Sequence, residues 1–457
     1  MGCNGEWRGR ANCWRAGSGS HAGISMDVTG AEKNLRAHTS FSKSYMTWLL
    51  SDSLSACAQS IEGVYLSLLA FDACGSVVTA GLIVSIIAIV QRVSTFFGGA
   101  IVDAFNRKHL LILYALLQAM IWFAAFAILA CGGLWLPLLL LAACISALLE
   151  GLLGGSSDAL LREICDGEQY IKARSANEGR DAGIAMIGAS TGGILFAFSR
   201  SLPALVMFIC FALSLVAAVA LAGSRAAPFE TERVDGRRPL VLLRGSVDGI
   251  KWLHESHSFV CAVLPMALLN VSFGLVQYGA QLALLQSGAS PASVGILDTV
   301  VCGAAIGSSI LVVSCKRCRS LKLPIALLLI GIVLGTAVTC AFEVSLGSLA
   351  LFVICYAISL PMLSAVVQGK FFSNVPLELQ GRARAVLIVA VQMPTSLASY
   401  AAGLLVQEAG AVALSATAGL LAGFSTILLG RQSGAMRRNG RGEPPAIHSA
   451  ASDREGF

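Results

Sequence analysis

Asp52, Glu62, Arg92 and Glu150 stand in stretches otherwise dominated by Leu, Ile, Val, Ala and Gly. A charge in such surroundings costs several kcal/mol unless it faces a cavity or a partner, so each marks a candidate site. Asp52, Ser55, Gln59 and Glu62 recur at i, i+3, i+7 and i+10, which on a helix confines them to an arc of about 80°. Counting along helices places Asp52 ~10 Å and Arg92 ~15 Å from the same end of their apolar runs, with Glu150 at similar depth. An Asp52/Arg92 pair is therefore expected, either as part of a proton relay or as an ion pair that only fixes helix register. Two carboxylates beside one arginine leave one negative charge uncompensated, the condition a proton carrier needs. Glu62, nearer the other end with no basic residue at its depth, is a second carrier, and Asp158 extends the relay set. Farther on, Asn270, Gln277 and Gln281 fall at i, i+7 and i+11 with Gly274 and Tyr278 beside them. These amides either line a substrate cavity opposite Gln59 or act as interhelical hydrogen-bond glue. Asp298 reads as an interfacial residue at the start of the next apolar run.

The elements that must hold these groups follow from composition. Of 457 residues, 56% are hydrophobic and 13% charged, where soluble chains carry about 25% charged residues. Such a chain cannot cover a globular surface, which excludes a soluble enzyme, a disordered scaffold and a nucleic-acid-binding protein. The apolar residues fall in blocks of about 20, the length that crosses a ~30 Å hydrocarbon core as a helix. Continuous rather than alternating apolar character excludes a barrel. Spans are expected near 45–69, 78–102, 109–131, 134–156, 177–198, 202–222, 258–285, 291–314, 323–342, 346–368, 383–405 and 410–430, giving an all-α polytopic membrane protein with twelve transmembrane helices.

Alternate connections carry the basic residues: Arg107 and Lys108; Arg162, Lys172 and Arg174; Arg225 to Arg238; Lys316 to Lys322; Lys370, Arg382 and Arg384. The other connections hold one, Arg200. The positive-inside rule then puts both termini in the cytoplasm. The longest break divides the chain into a disordered tail at 1–44, a six-helix half at 45–222, a central loop at 223–257, a second half at 258–430 and a disordered tail at 431–457. Leu161–Arg162–Glu163 with Ala173–Arg174, and Leu377–Glu378 with Gly381–Arg382, echo each other at a spacing of roughly 210 residues, as two parallel six-helix repeats would. No apolar core suited to a signal peptide precedes residue 45. Met26 and Met46 are alternative starts.

Cysteines inside apolar blocks act as small hydrophobes, and the Cys315–Cys318 pair lacks a second ligand pair, so neither a disulfide framework nor a metal site is expected. All six histidines lie outside the spans or at their ends, which speaks against haem or an intramembrane metalloenzyme. No phosphate-binding Gly-Lys-Ser/Thr loop occurs. No cofactor is expected.

Between the second and third spans the chain reads Gly99-Ala-Ile-Val-Asp103-Ala-Phe-Asn106-Arg107-Lys108. This resembles the loop motif of the major facilitator superfamily, Gly-x-x-x-Asp-x-x-x-Arg-Lys, with Asn106 where Gly is usual; Asn tolerates the left-handed conformation a turn there uses. Gly99 is expected to permit close helix approach, and Asp103 to cap or pair at the membrane edge. Gly188-Ala189-Ser190-Thr191-Gly192-Gly193 is similar to the Gly-Pro-x-x-Gly-Gly motif of the family's antiporters, with Ala189 replacing the proline. Its physical role would be small-residue helix packing. The arginine that drug/proton exchangers place four residues before Gly151 is replaced by Ala147. Arg92, the loop motif and Gly155 to Arg162 resemble the macrolide-efflux-like branch. The resemblance implies two six-helix halves that export small amphipathic organic molecules or drugs by proton antiport with alternating access. Uptake or proton-independent transport is the alternative, and a non-transporting membrane sensor or scaffold the other-class reading. Implied partners are a small-molecule substrate, protons and membrane lipids, with no nucleic acid; the chain would be a monomer in the plasma or inner membrane.

Overall fold

The computed structural model describes residues 43–132, 136–165, 167–223, 257–314, 322–341, 346–373 and 389–439. Most of both expected tails and of the central loop, the Cys315–Cys318 pair and the second-half echo around Gly381–Arg382 lie outside them; residues 431–439, expected to begin a disordered tail, instead continue the last helix.

The described residues are helical. They form α1 (Lys43–Cys74), α2 (Val77–Ala104), α3 (Arg107–Ala130), α4 (Leu136–Leu153), α5 (Gly155–Ile164), α6 (Gly167–Phe198), α7 (Leu202–Gly223), α8 (His257–Gln286), α9 (Pro291–Ser314), α10 (Lys322–Ala341), α11 (Leu346–Ser373) and α12 (Ala398–Asn439). Ten helices are long and apolar enough to cross a membrane, and Lys322–Val338 is a shorter apolar helix. The last of the ten, Val389–Arg431, is two helices in one: Gly410, at φ 75° and ψ 179°, breaks α12 with a conformation only glycine adopts without strain. Splitting it there and adding the shorter helix gives twelve transmembrane helices.

The ends follow local chemistry. Ser76 caps α2 by accepting from the Thr79 amide, and Gly132 turns the chain after α3 with φ 76°. Asn106 departs from expectation. Its φ of −65° is not left-handed, and its Oδ1 caps α3 by accepting from the amides of Lys108 (3.0 Å) and His109 (3.4 Å). Asparagine thus replaces glycine here as a helix cap. Three boundaries also shift. α1 and α6 extend beyond the expected spans at their polar ends, and the fourth span divides at Gly154 into α4 and the short amphipathic α5.

In the first half α2 packs on α4, and α3 on α7; in the second α8 packs on α12, and α10 on α11. The α2–α4 contact is made by Gly98, whose added Cβ would collide with the Gly151 carbonyl, while Gly99 faces open space. The close approach expected at Gly99 therefore belongs to its neighbour. Gly98→Val is expected to cost about 1–3 kcal/mol, because backbone atoms cannot yield as a side-chain tip would. A lower melting temperature in detergent checks it; an unchanged one would refute the contact.

The two halves meet through α2 with α12 and α6 with α9. Ser85 and Ser399 hydroxyls lie 2.7 Å apart, Ser399 donates to the Gly81 carbonyl (3.0 Å), and the Tyr400 amide donates to Ser85 (3.0 Å). On the other side the Thr299 hydroxyl contacts that of Ser190 and donates to the Met186 carbonyl (2.9 Å). All these residues lie toward the helix ends remote from the basic loops. Small residues allow the approach: a Cβ on Gly403 would stand 2.7 Å from the Val77 carbonyl, one on Gly193 2.6 Å from that of Pro291, and one on Gly295 2.6 Å from that of Ala189. Gly81 and Gly295, like Gly193 and Gly403, are roughly 210 positions apart, the spacing of the internal repeat. The halves are thus sealed to each other at the end opposite the basic loops.

Candidate functional site

The polar residues of α1 do not line one surface; each reaches a different neighbour. Asp52 accepts from Ser157 of α5 (2.5 Å) and pairs with Arg180 of α6. Ser55 bonds Ser214 of α7 (2.9 Å), with Ser51 completing a buried hydroxyl trio. Gln59 donates to the Tyr114 hydroxyl of α3 (2.8 Å). Glu62 accepts from Ser146 of α4 (2.8 Å). Each of the four thus has a polar partner on another helix of the first half.

The expected Asp52/Arg92 pair is replaced by Asp52/Arg180. Arg180 also pairs with Asp181 (2.6 Å), and its guanidinium lies 6.0 Å from the centre of the Trp48 ring. Trp48 in turn donates its indole N–H to the Ser157 carbonyl (3.1 Å). Asp158 sits on the exposed face of α5, paired with Arg174 (2.5 Å), and Arg107 joins Glu163 (2.7 Å) and the Ala159 carbonyl (3.4 Å). These contacts tie α1, α3 and α6 to α5 at the basic end, and Asp158 belongs to them rather than to the buried carboxylates. The side chain of Asp103 lies outside the described residues. The Asp52–Arg180 side chains are 23% and 18% exposed, so solvent screens part of their attraction. Arg180→Ala is expected to cost about 1–2 kcal/mol. Adding Asp52→Asn, which removes the orphaned charge, should restore much of the lost melting temperature; no recovery would mean the pairing is not the cause.

Glu150 lies within charge range of both Glu62 and Arg92. The charges of Glu62 and Glu150 act on each other, Arg92 acts on Glu150, and Gln91 bonds Glu150. Ser146 also donates to Gln118 (2.9 Å), whose amide returns to the Ser146 carbonyl (3.1 Å), and Tyr114 feels both glutamates. Glu62 is 7% exposed and its Oε2 has no hydrogen-bond partner among the described residues. Two carboxylates and one guanidinium are thus gathered from three helices around hydroxyl and amide groups, with one buried carboxylate oxygen free to take a proton. Gln118 and Tyr114, polar groups alone in an apolar third span, were visible signals that sequence reading passed over. Ser146 gave none.

In the second half, Asn270 donates to the Met266 carbonyl of its own helix (2.8 Å). Gln281 and Gln277 both bond Asp298. Asp298 is 7% exposed, so it is a buried group and not an interfacial one. Tyr278 lies within charge range of both Asp298 and Arg92. The Gly188–Gly193 segment is a packing surface: a Cβ on Gly188 would collide with the Ser60 side chain, one on Gly192 would stand 3.2 Å from the Ile61 carbonyl, and one on Gly193 would press on that of Pro291. Among the described residues no cluster of three metal-ligating side chains occurs.

Residues 49–399 match the sequence profile of the Major Facilitator Superfamily. No curated protein sequence matches the chain. The fold is similar to that of a bacterial homologue of the iron transporter ferroportin in an inward-facing state, with TM-score 0.64 and 16% identity over 84% of this chain and 97% of that one. It is similar to a D-xylose–proton symporter, TM-score 0.60 and 18% identity over 84% and 95%. It also resembles the nucleoside transporter NupG, TM-score 0.60 and 13% identity over 85% and 97%. At these identities the likeness concerns fold.

Proposed function

Because the chain belongs to the major facilitator superfamily, a family of transporters and not of enzymes, we propose that it is a proton-coupled exporter of small amphipathic organic molecules working by alternating access. The observation that carries this reading is the buried Glu62, one of whose carboxylate oxygens has no partner among the described residues, within charge range of the half-buried Glu150, which is itself in range of the half-buried Arg92. A scaffold has no use for an uncompensated charge that costs about 2.5–3.5 kcal/mol at mid-membrane. A proton is the smallest species that removes it.

In this reading Glu62 and Glu150 share a proton, and Arg92 senses whether the proton is present. Arg92 and Tyr278 line the path between the halves, with Gln59 at its N-terminal wall. Asp52, Asp158, Arg107 and Lys108 work at the basic end, holding α5 against α1, α3 and α6. The two bodies that rock are 45–222 and 258–430, joined by 223–257, with both termini in the cytoplasm of a monomer in the plasma or inner membrane. The Gly188–Gly193 segment supports export through its resemblance to the antiporter motif. One proton crossing 100 mV supplies ~2.3 kcal/mol, enough for more than a tenfold substrate gradient.

Reconstituted vesicles test it with ethidium as the probe, a permanent cation that does not partition with pH. An acidic lumen should drive ethidium inward, and an uncoupler should abolish the accumulation. Equal uptake with and without the gradient would overturn proton antiport.

A further inference from the structure

Asp298 in α9 is 7% exposed, and both of its carboxylate oxygens lie 2.8 Å from the Gln281 amide nitrogen, with Gln277 as a second partner. A carboxylate needs donors, so the two glutamines present N–H groups and turn their carbonyl oxygens away. That arrangement does not suit a metal cation, which would require those oxygens.

Among the described residues no positive group acts on this charge. α9 carries no other ionisable residue than Cys302, and the α6 segment facing it, from Ala182 to Phe198, carries none. Packed on its other sides, α8 brings Tyr278 but no Asp, Glu, Lys or Arg, and α11 between Leu346 and Gln368 brings only Cys355 and Tyr356. Arg92 of α2 acts on Tyr278 but not on Asp298. A buried carboxylate without a counter-ion is relieved by taking up a proton, while its amide donors keep the ionised form accessible.

Its position gives that alternation a consequence. The next residue, Thr299, joins Ser190 and the Met186 carbonyl across the halves, and one turn earlier Gly295 presses on Ala189. Any change in hydrogen bonding at Asp298 is felt in the helical turn that closes the seal. We propose that Asp298, held by Gln277 and Gln281, is a second proton-binding site, located in the C-terminal half, whose occupancy biases the seal between α6 and α9. It rests on the proton-coupled reading, but its proton lies beside the closed end rather than among Glu62, Glu150 and Arg92. Neutralising Asp298 removes its demand for two donors and frees Gln281 to repack, so the seal is expected to differ between the two forms.

Two measurements on the purified full chain test this. Infrared difference spectra between acidic and neutral buffer should contain a protonated-carboxyl carbonyl band that is lost in Asp298→Asn and retained in Glu62→Gln. Gln281→Leu, which keeps the carboxyl, should move the pH midpoint of that band. Disulfide formation between cysteines placed at Ser85 and Ser399, on the other arm of the seal, should vary with pH in the parent and lose that variation with Asp298→Asn. A spectrum unchanged by Asp298→Asn, or cross-linking whose pH dependence survives it, overturns the proposal. Neither readout needs transport, so gradient-independent ethidium movement with the Asp298 band present would sink proton antiport and leave this site standing.

Discussion

Glu62→Gln is expected to abolish gradient-driven accumulation of ethidium while leaving the protein folded. Glutamine is nearly isosteric, and its Oε1 still accepts from Ser146, the bond that Glu62 makes at 2.8 Å. What disappears is the ability to exchange a proton and the negative charge felt by Glu150. Downhill exchange should persist, because the helices and their packing are untouched. Accumulation driven by one pH unit should fall about tenfold, to the level without a gradient, since that unit is worth ~1.4 kcal/mol per proton. Its dependence on external pH should flatten as well. Vesicles containing the variant, compared with wild type at equal protein density, read both quantities. Full accumulation by Glu62→Gln would remove Glu62 from the coupling path.

Gly193→Val should block the transport cycle by a different route. A Cβ at this position would stand 2.6 Å from the Pro291 carbonyl and 3.0 Å from the Gly295 amide, and both neighbours are backbone. Valine therefore pushes α6 and α9 apart, and the penalty falls on the sealed state alone. Overpacking of about 1–3 kcal/mol shifts that equilibrium by roughly 5–150-fold. A cysteine replacing Ser190, in a background without other cysteines, should then react faster with a membrane-impermeant thiol reagent added from the side remote from the basic loops. Ethidium transport should fall with it. If the cysteine's reactivity stays at the parent level, the seal is not where the structure puts it.

Much of the architecture was legible because the membrane imposes a length and a polarity on each element. Blocks of about 20 apolar residues had to be helices, and their number, the alternation of basic loops and the repeat followed from counting. Fold and family were read correctly at that level; the efflux branch and proton antiport were resemblances and stand as proposals. Partner choice was harder to read. Asp52 was matched to Arg92 by depth, yet it meets Arg180, which sits where α6 begins its apolar stretch. Depth along a helix says nothing of azimuth against a neighbour, and several helices offered a cation at the same level. Gly98 and Gly99 show the same limit: one residue is 100° of rotation, enough to exchange a helix contact for open space.

Hydropathy and charge by themselves determined that this chain is a twelve-helix membrane protein with its costly polar residues inside, because transfer free energies act on each residue regardless of its neighbours. Only the tertiary structure decided which of those residues meet. It separated Asp52 from Glu150, joined Glu150 to Glu62, buried Asp298 beneath the seal and closed the halves at one end. Those outcomes depend on helix rotation and on backbone approach at Gly81, Gly193, Gly295 and Gly403, which arise only when two helices are brought together.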